Sequence, residues 1–323
     1  MSIYTLFHPP VFQGRGKKNN YFEGWYFKMA LPDEVIALIP GIAMGEDCHA
    51  FIQVISSKEG RSWYVRFPFD AFVADKKAFA VAIGDNHFSL DGISVDLHAE
   101  GLTLKAEVRH ISPTPFPVSL KAPGIMGWYA YVPFMECFHG VVSTHHSLEG
   151  LLKLNGREIK GAGGTGYIEK DWGSSFPSAW IWMQANCFPT DKVACMLSVA
   201  NIPFLGRTFQ GFLGFLQIGG KLIRFGTYTG AKVIRLEQDK EHASVTISQR
   251  GYRITFDATL GPTSHLSAPR QGNMERSILE SVIGTIGVTL KDRKGKLLFQ
   301  ETGSMAGIEL SEAVNLMQSK HKV

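Results

Sequence analysis

Short apolar stretches separated by turn-forming residues recur along the whole chain. Most have the two-residue alternation or the compact apolar composition of β-strands. Examples are VIALIPGIA, AFIQVISS, SWYVRFPF, LTLKAEV and YRITFDATL. This close spacing is typical of β-sandwiches and barrels. We therefore predict an all-β protein of two antiparallel β units, residues 1–175 and 176–323, with the boundary in the loop at 169–179.

Helical patterns are few. We expect one helix over residues 311–322, with Ser311 at its start, and a second, short helix over 273–280. The pair Asn155–Gly156 predicts a hairpin turn, because both central positions of such a turn require positive φ. The proline-rich stretch 111–128 does not suit a central strand, so we interpret it as a long ordered loop that covers a site.

The segment YFEGWYFKMA (21–30) places a carboxylate on an apolar strand face. Alternation puts Glu23 and Trp25 on the same face as Tyr21, Phe27 and Met29. The other face carries Lys28, which we expect to point toward water. The same pattern recurs at residues 131–147, where Glu136 alternates with Phe134 and Phe138 while His139 points to the opposite side.

Two further stretches have a chemical pattern. In TGYIEKDWGSSFP (165–177), Tyr167, Glu169 and Asp171 share one side of a strand, although their charges would also suit a solvated loop. In SAWIWMQANCF (178–188), neither face is charged, so we expect a strand that is covered on both sides. One of its faces carries two tryptophans and two amides. That combination suits a small-molecule pocket, and it suits equally a core strand whose amides bind the neighbouring backbone.

Composition narrows the function classes. The 323 residues are 45% hydrophobic and 19% charged with a net charge of +4, which indicates a globular chain and gives no support for a nucleic-acid partner. The four cysteines lack metal-site spacing, so we expect reduced thiols and no zinc site. We see no signal peptide at the N-terminus and no apolar run of about 18 residues that would span a bilayer, so we expect a cytoplasmic protein.

Four motifs together resemble the tocopherol cyclase-like family. They are YFEGWYFK (21–28), PFMECFHG (133–140), EKDWGSSFP (169–177) and WIWMQANCF (180–188). The resemblance implies two lipocalin-like β units, as in the wider superfamily that includes carotenoid hydratases. It also implies a lipophilic, prenylated ligand in an apolar cavity. The plant members close a chromanol ring by protonating a prenyl double bond, and this reaction needs no redox cofactor and no metal.

The chain departs from the plant pattern at several points. The plant motif has Asn where this chain has Asp171, which weakens Asp171 as a shared acid. Plant members also carry a plastid transit peptide and a longer insert after the first motif, so we expect a compact, bacterial member.

The candidate residues fall into two groups by chemistry. The candidate acids are Glu23, Glu136, Glu169 and Asp171. The candidate substrate contacts are Trp25, Tyr26, His139, Tyr167, Trp172, Trp180, Trp182, Gln184 and Asn186. We rank Glu23 first among the acids because its strand is the most regular and its neighbours the most apolar. The alternative is a purely structural Glu23 that pairs with Arg66 or Lys170 or accepts backbone N–H groups.

We predict a cofactor-independent cyclase or isomerase that acts on a prenylated aromatic or terpenoid lipophile by acid-initiated chemistry. A non-catalytic lipophile carrier with the same cavity is the alternative, because a fold does not decide function. A hydratase or pericyclic cyclase on the same scaffold is a third hypothesis. The expected partner is a small lipophilic molecule, with peripheral membrane contact to collect it. The sequence leaves the identity of that molecule and the oligomeric state open.

Overall fold

The computed structural model describes residues 3–132, 135–204 and 207–311, with the side chains of residues 204 and 207 excepted. These residues are almost entirely β. The one α-helix among them, α1, is the four-residue Ile3–Leu6. Three short 3₁₀ segments add Phe69–Ala71, Gly127–Tyr131 and Thr227–Thr229. None of the helices in this described part is long and apolar enough to cross a bilayer.

Strands β1 to β12 form one antiparallel sheet. Their bounds are β1 Tyr21–Ala30, β2 Val35–Met44, β3 His49–Ser56, β4 Arg61–Phe67, β5 Phe72–Ala74, β6 Ala80–Ile83, β7 Asn86–Ser89, β8 Gly92–Ala99, β9 Leu102–Ile111, β10 Cys137–Leu154, β11 Arg157–Lys160 and β12 Thr165–Gly173. The order in the sheet is β4-β3-β2-β1-β12-β10-β9-β8-β7-β6-β5, and β11 pairs with β10. The last strand of this sheet, β12, therefore pairs with the first, β1.

Strands β13 to β22 form a second antiparallel sheet. Their bounds are β13 Trp180–Ala185, β14 Ala194–Phe204, β15 Arg207–Ile218, β16 Lys221–Gly226, β17 Lys232–Gln238, β18 His242–Gln249, β19 Tyr252–Thr259, β20 Thr263–Arg270, β21 Asn273–Asp292 and β22 Leu297–Leu310. The order is β16-β15-β14-β13-β22-β21-β19-β18-β17, and β20 pairs with β21. The predicted all-β class with two antiparallel units is confirmed.

The chain divides into two compact units. The first comprises residues 1–176 with 266–277, and the second comprises 177–265 with 278–323. Each unit has its own hydrophobic core. That of the first includes Trp25, Phe27 and Ile168, and that of the second includes Ile181, Met183 and Phe256.

Several local predictions can be compared with these elements. The helix predicted over 273–280 is wrong, because these residues begin β21, where exposed and less exposed side chains alternate with the period of a strand. Residues 169–173 belong to β12 and not to a loop. The helix predicted over 311–322 lies, apart from Ser311, outside the described residues.

The turn and loop predictions agree with the structure. Asn155 and Gly156 connect β10 to β11, with φ of 49° and 83°. The proline-rich stretch is irregular after β9 ends at Ile111, and it contains the 3₁₀ segment Gly127–Tyr131. An isolated bridge between Pro115 and Ser143 holds it against β10.

The central strands of the first sheet position the candidate residues. β1 pairs with β2 on one side and with β12 on the other, and β12 also pairs with β10. Nearly every side chain of β1 is buried, on both of its faces. Lys28, which we expected to face water, is therefore buried as well. A strand in the middle of a sheet that is covered on both sides leaves no solvated face for its polar residues.

Candidate functional site

Adjacent residues of β12 alternate between two buried ionic groups. Directly opposed residues in an antiparallel pair point to the same side of the sheet. Register therefore groups Lys170 with Trp25, and Trp172 with Glu23, on the face that carries the hydrophobic core. Tyr167, Glu169 and Asp171 of β12 point to the opposite face. The predicted sharing of sides in this stretch is confirmed, and the solvated-loop reading of these charges is wrong for Glu169 and Lys170, which are buried.

On the core face, Glu23 forms an ion pair with Lys170, and both side chains are 0% exposed. The carboxylate accepts further hydrogen bonds from the backbone N–H groups of Gln13, at 2.9 Å, and Gly14, at 3.0 Å. The Tyr21 hydroxyl also donates to it. These donors occupy both carboxylate oxygens, an arrangement that suits a group which only accepts hydrogen bonds.

Lys170 is held in the same way. Its ammonium donates to the carbonyl of Val11 at 3.0 Å. It also lies 4.6 Å from the centre of the Trp25 ring and 4.8 Å from that of Trp172, within cation–π range. Burial lowers the pKa of Lys170, and the Glu23 carboxylate opposes that shift. Since Trp25 Nε1 donates to Pro10 at 2.9 Å, this group fastens residues 10–14 onto the sheet.

The opposite face carries a continuous chain of polar groups. Tyr167 donates a hydrogen bond of 2.6 Å to Glu169 Oε2. The same oxygen lies 3.3 Å from His139 Nε2, and His139 Nδ1 lies 2.8 Å from Asp171 Oδ1. We call these four residues the relay cluster. His139 pairs with Asp171 in the β10–β12 register, which explains how residues 32 positions apart meet.

The relay cluster favours a protonated imidazole. Burial opposes the charge on His139, but the carboxylates of Asp171 and Glu169 outweigh it and raise the pKa of His139 well above its ordinary value. Burial, reinforced by Glu169, also raises the pKa of the Tyr167 phenol. Glu169 is nearly buried, whereas the Asp171 side chain is 26% exposed. The relay cluster thus holds a protonated imidazole and a neutral phenol beside the buried Glu169 carboxyl, and solvent reaches it at Asp171.

Two further residues of β1 belong to this face. Tyr26 lies directly opposite Glu169, and Lys28 lies directly opposite Tyr167. Sequence reasoning included Tyr26 but missed Lys28. Lys28 is the only charged residue on its face of residues 21–30, and this isolation is the signal that could have identified it.

Cys137 lies beside the same face. Its thiol is 3.9 Å from Asp171 Oδ1. Burial and the nearby carboxylate raise the pKa of Cys137, so it stays a neutral thiol and lacks the character of a nucleophile. Cys48 and Cys137 are free thiols, as predicted.

Among the described residues, His139, Glu169 and Asp171 form a group whose ligand-type atoms lie within 4.8 Å of one another. A metal ion would need an unprotonated nitrogen of His139. Nδ1 of His139 instead makes a hydrogen bond with Asp171, and Nε2 makes an ion-pair contact with Glu169.

Glu136 differs from the expectation. It is exposed and precedes β10, which begins at Cys137, so the alternation that would have placed it on an aromatic face does not extend to it. Phe134, the other member of that pattern, lies outside the described residues. Phe138 does stack on Trp172, with ring centres 5.6 Å apart.

In the second unit, β13 is buried along its whole length, as predicted. Ile181, Met183 and Ala185 join the core. On the other face, Trp180 Nε1 donates to Glu309 at 2.5 Å. The amide of Gln184 donates to Asn186 at 3.3 Å. Together with Trp182, these side chains give the second unit a buried face of indole rings and amides.

Fold and site define a protein with two antiparallel β units and a buried, hydrogen-bonded group of ionisable residues. A sequence model described as tocopherol cyclase-like matches residues 114–311. The chain therefore belongs to the tocopherol cyclase-like family.

Two curated plant proteins are similar to it. The probable chloroplastic tocopherol cyclase of Oryza sativa subsp. japonica is 25% identical over 210 residues, which cover 60% of this chain and 43% of that protein. The chloroplastic tocopherol cyclase of Zea mays is 32% identical over 118 residues, covering 35% of this chain and 25% of that protein. The matched region thus spans less than half of the length of either relative.

Solved structures share the fold. The crystal structure of CghA with Sch210972 has a TM-score of 0.55 at 11% identity, covering 94% of this chain and 89% of that chain. The crystal structure of CghA has a TM-score of 0.54 at 11% identity, with 94% and 88% covered. At this identity the likeness concerns the fold alone.

Proposed function

We propose that this protein is a cyclase or isomerase that acts on a prenylated aromatic or terpenoid lipophile by protonating an alkene. Family membership supports the reaction class. The observation that carries the proposal is the relay cluster, in which Glu169 lies between the Tyr167 hydroxyl and the His139 ring.

In the proposed mechanism, Glu169 is the acid. Its proton passes to the less substituted carbon of a prenyl double bond, and a tertiary cation forms. The phenol oxygen of the substrate attacks the cation and closes the ring. The phenolic proton then passes through Glu169 back to His139, so product and substrate have the same composition and neither oxidant nor reductant is consumed.

The other members of the cluster have supporting roles. His139 holds a proton next to Glu169 and supplies it before each turnover. Asp171 accepts a hydrogen bond from His139 and fixes its ring orientation. Tyr167 donates to Glu169 and orients the carboxyl. We propose that Tyr26 contacts the substrate on the same face, and that Trp180, Trp182, Gln184 and Asn186 form a lipophile-contacting surface of the second unit.

The proposed acid is therefore Glu169 and not Glu23, which ranked first on sequence grounds. Glu23 contacts Lys170, Tyr21 and two backbone N–H groups on the core face. Trp25 and Trp172 lie on either side of the Lys170 ammonium. We propose a structural role for Glu23, Trp25 and Trp172.

The experiment is turnover of a panel of prenylated quinols in D₂O, followed by mass spectrometry. Protonation of a carbon predicts a product that retains one non-exchangeable deuterium and is otherwise isomeric with the substrate. Glu169→Gln is expected to lower the rate by roughly 10²–10⁴-fold, the usual contribution of a general acid. Glu136→Gln, which removes an exposed carboxyl, is the matched control and should turn over normally.

Other outcomes distinguish the rivals. Recovery of every quinol unchanged, with a lipophile retained through purification, would favour the carrier. A product heavier by one water would favour a hydratase. Normal turnover by Glu169→Gln would remove Glu169 from the acid role.

A further inference from the structure

One surface of the first unit exposes large apolar side chains. Leu120 is 78% exposed, Trp128 50% and Tyr131 46%. Ile3, Tyr4 and Val118 are also exposed. We call these six residues the apolar patch. A cluster of exposed tryptophan, tyrosine and aliphatic side chains is unusual on a surface that faces only water.

Contacts join Tyr131 of the patch to Leu120 and to Phe7. The Tyr131 hydroxyl donates to the carbonyl of Leu120 at 2.6 Å. The Phe7 ring, just after α1, meets the Tyr131 ring edge-on with centres 6.3 Å apart. Trp128 and Tyr131 are three residues apart in one 3₁₀ segment, a spacing that places their side chains on the same side. These contacts bring the proline-rich loop against the end of α1, the helix that carries Ile3 and Tyr4.

The loop that carries the patch is anchored. Its neighbours Phe116, Ile125 and Met126 are buried. The backbone N–H of Thr114 donates to His145 at 2.9 Å, and that of Thr144 donates to Thr114 at 2.9 Å. The fold thus holds the backbone in place while Leu120 and Trp128 point outward.

The two segments that carry the patch contain basic side chains and no acidic ones. Residues 1–22 and 111–135 contain no Asp or Glu, whereas they contain Arg15, Lys17, Lys18 and Lys121. All four of these cationic residues are exposed. The net charge of +4 for the whole chain does not show this local excess.

Further cations lie beside α1. The Tyr4 hydroxyl donates to the carbonyl of Lys77 at 2.7 Å, and Arg15 donates to the carbonyl of Ala74 at 3.0 Å. These bonds place the exposed turn with Lys76 and Lys77 next to the patch. The acid of that turn, Asp75, accepts the backbone N–H groups of Lys77 and Ala78, at 2.8 and 2.7 Å.

We propose that the apolar patch docks this protein on an anionic lipid bilayer. Tryptophan and tyrosine prefer the headgroup region, where the ring is apolar and the N–H or O–H meets water. Leu120 and Ile3 enter the acyl boundary, and the surrounding lysines and arginine attract anionic headgroups. Docking would let the protein collect its lipophile from the bilayer, and this purpose rests on the proposed function. Vesicle binding requires no turnover, so the two can fail separately.

The test is co-sedimentation of the full chain with vesicles of phosphatidylcholine alone and of equimolar phosphatidylcholine and phosphatidylglycerol. We expect binding to the anionic vesicles that weakens at high salt, with a blue shift of tryptophan emission that Trp128→Phe removes. The double variant Leu120→Ser, Trp128→Ser should lower the partition coefficient by about tenfold or more, because apolar burial drives interfacial binding.

Two matched controls come from the second unit. Leu297 and Leu298 are about as exposed as Trp128, so Leu297→Ser, Leu298→Ser removes similar apolar surface elsewhere. A separate cleft carries the exposed cations Lys291, Arg293 and Lys294 without any of the patch residues. Changing these three to Gln tests whether positive charge alone causes adhesion.

Three results would overturn the proposal. One is wild-type vesicle binding by the Leu120→Ser, Trp128→Ser variant. Another is loss of binding caused only by the Lys291, Arg293 and Lys294 changes. The third is concentration-dependent self-association that the patch variant abolishes while no vesicle binding occurs, which would assign the patch to a second copy of the chain.

Discussion

Lys170 and Glu23 form a fully buried ion pair that joins β12 to β1 and fastens the N-terminal segment to both. The carboxylate binds the backbone of residues 13 and 14, and the ammonium binds the carbonyl of Val11. These contacts explain why Glu23 lies beside Trp25 on the core face without requiring a bound substrate.

The ion pair should be strongly coupled. Glu23→Gln leaves a buried ammonium uncompensated, and Lys170→Met leaves a buried carboxylate uncompensated, so each change should destabilise the fold by roughly 3–5 kcal/mol. The double variant should cost less than the sum. Urea denaturation of the four proteins measures the coupling, and additive effects would contradict the pairing. Faster amide exchange at Gln13 and Gly14 in Glu23→Gln would report release of the N-terminal segment.

The His139–Asp171 contact predicts a pH dependence. Because the carboxylates raise the pKa of His139, its contribution to stability is complete below about pH 6.5 and is lost as the pH rises through the folded-state pKa. If the imidazolium supplies the proton, activity falls over the same interval. Asp171→Asn should move that fall to lower pH in both the rate and the unfolding profile. Asp47→Asn, which removes an exposed partner of Arg66, should leave both profiles unchanged.

A pair of buried histidines predicts the opposite pH dependence of stability. His110 and His146 are buried with ring centres 4.4 Å apart. Burial lowers the pKa of both, and that of His146 to about 2. Their neutral forms therefore stabilise the fold above about pH 6.5, and this contribution is lost as the pH falls, by up to about 1.4 kcal/mol per pH unit for each ring.

Acid titration of stability tests this assignment. His146→Gln should reduce the slope of the unfolding free energy against pH between about pH 4 and 6. His98→Gln changes an exposed ring and should not. An unchanged slope in His146→Gln would mean that other groups cause the acid sensitivity.

Gly166 illustrates a position where a methyl group should not fit. A Cβ there would overlap the ring of buried His146, so Gly166→Ala should destabilise by roughly 1–3 kcal/mol. Gly24, in the neighbouring strand, has no atom nearer than 3.5 Å to an added Cβ, so Gly24→Ala should be nearly neutral. Thermal denaturation compares the two variants, and equal midpoints would contradict the packing argument.

Some elements were predictable because they depend on short-range geometry. Two-residue alternation correctly grouped Tyr167 with Glu169 and Asp171, and the uncharged pattern of 180–185 correctly indicated a strand buried on both sides. The helix predicted over 273–280 failed because a short segment with mixed polarity fits either period, and pairing with neighbouring strands decided the outcome.

The sequence by itself determined the β class, the family motifs and the side of the strand to which the candidate side chains of β1, β12 and β13 point, because these follow from local periodicity and residue identity. Only the tertiary structure decided that Lys170 neutralises Glu23, that His139 joins Glu169 to Asp171, and that Lys28 is buried. Strand pairing between residues far apart in the chain sets those distances, and burial then fixes the charge that each group carries.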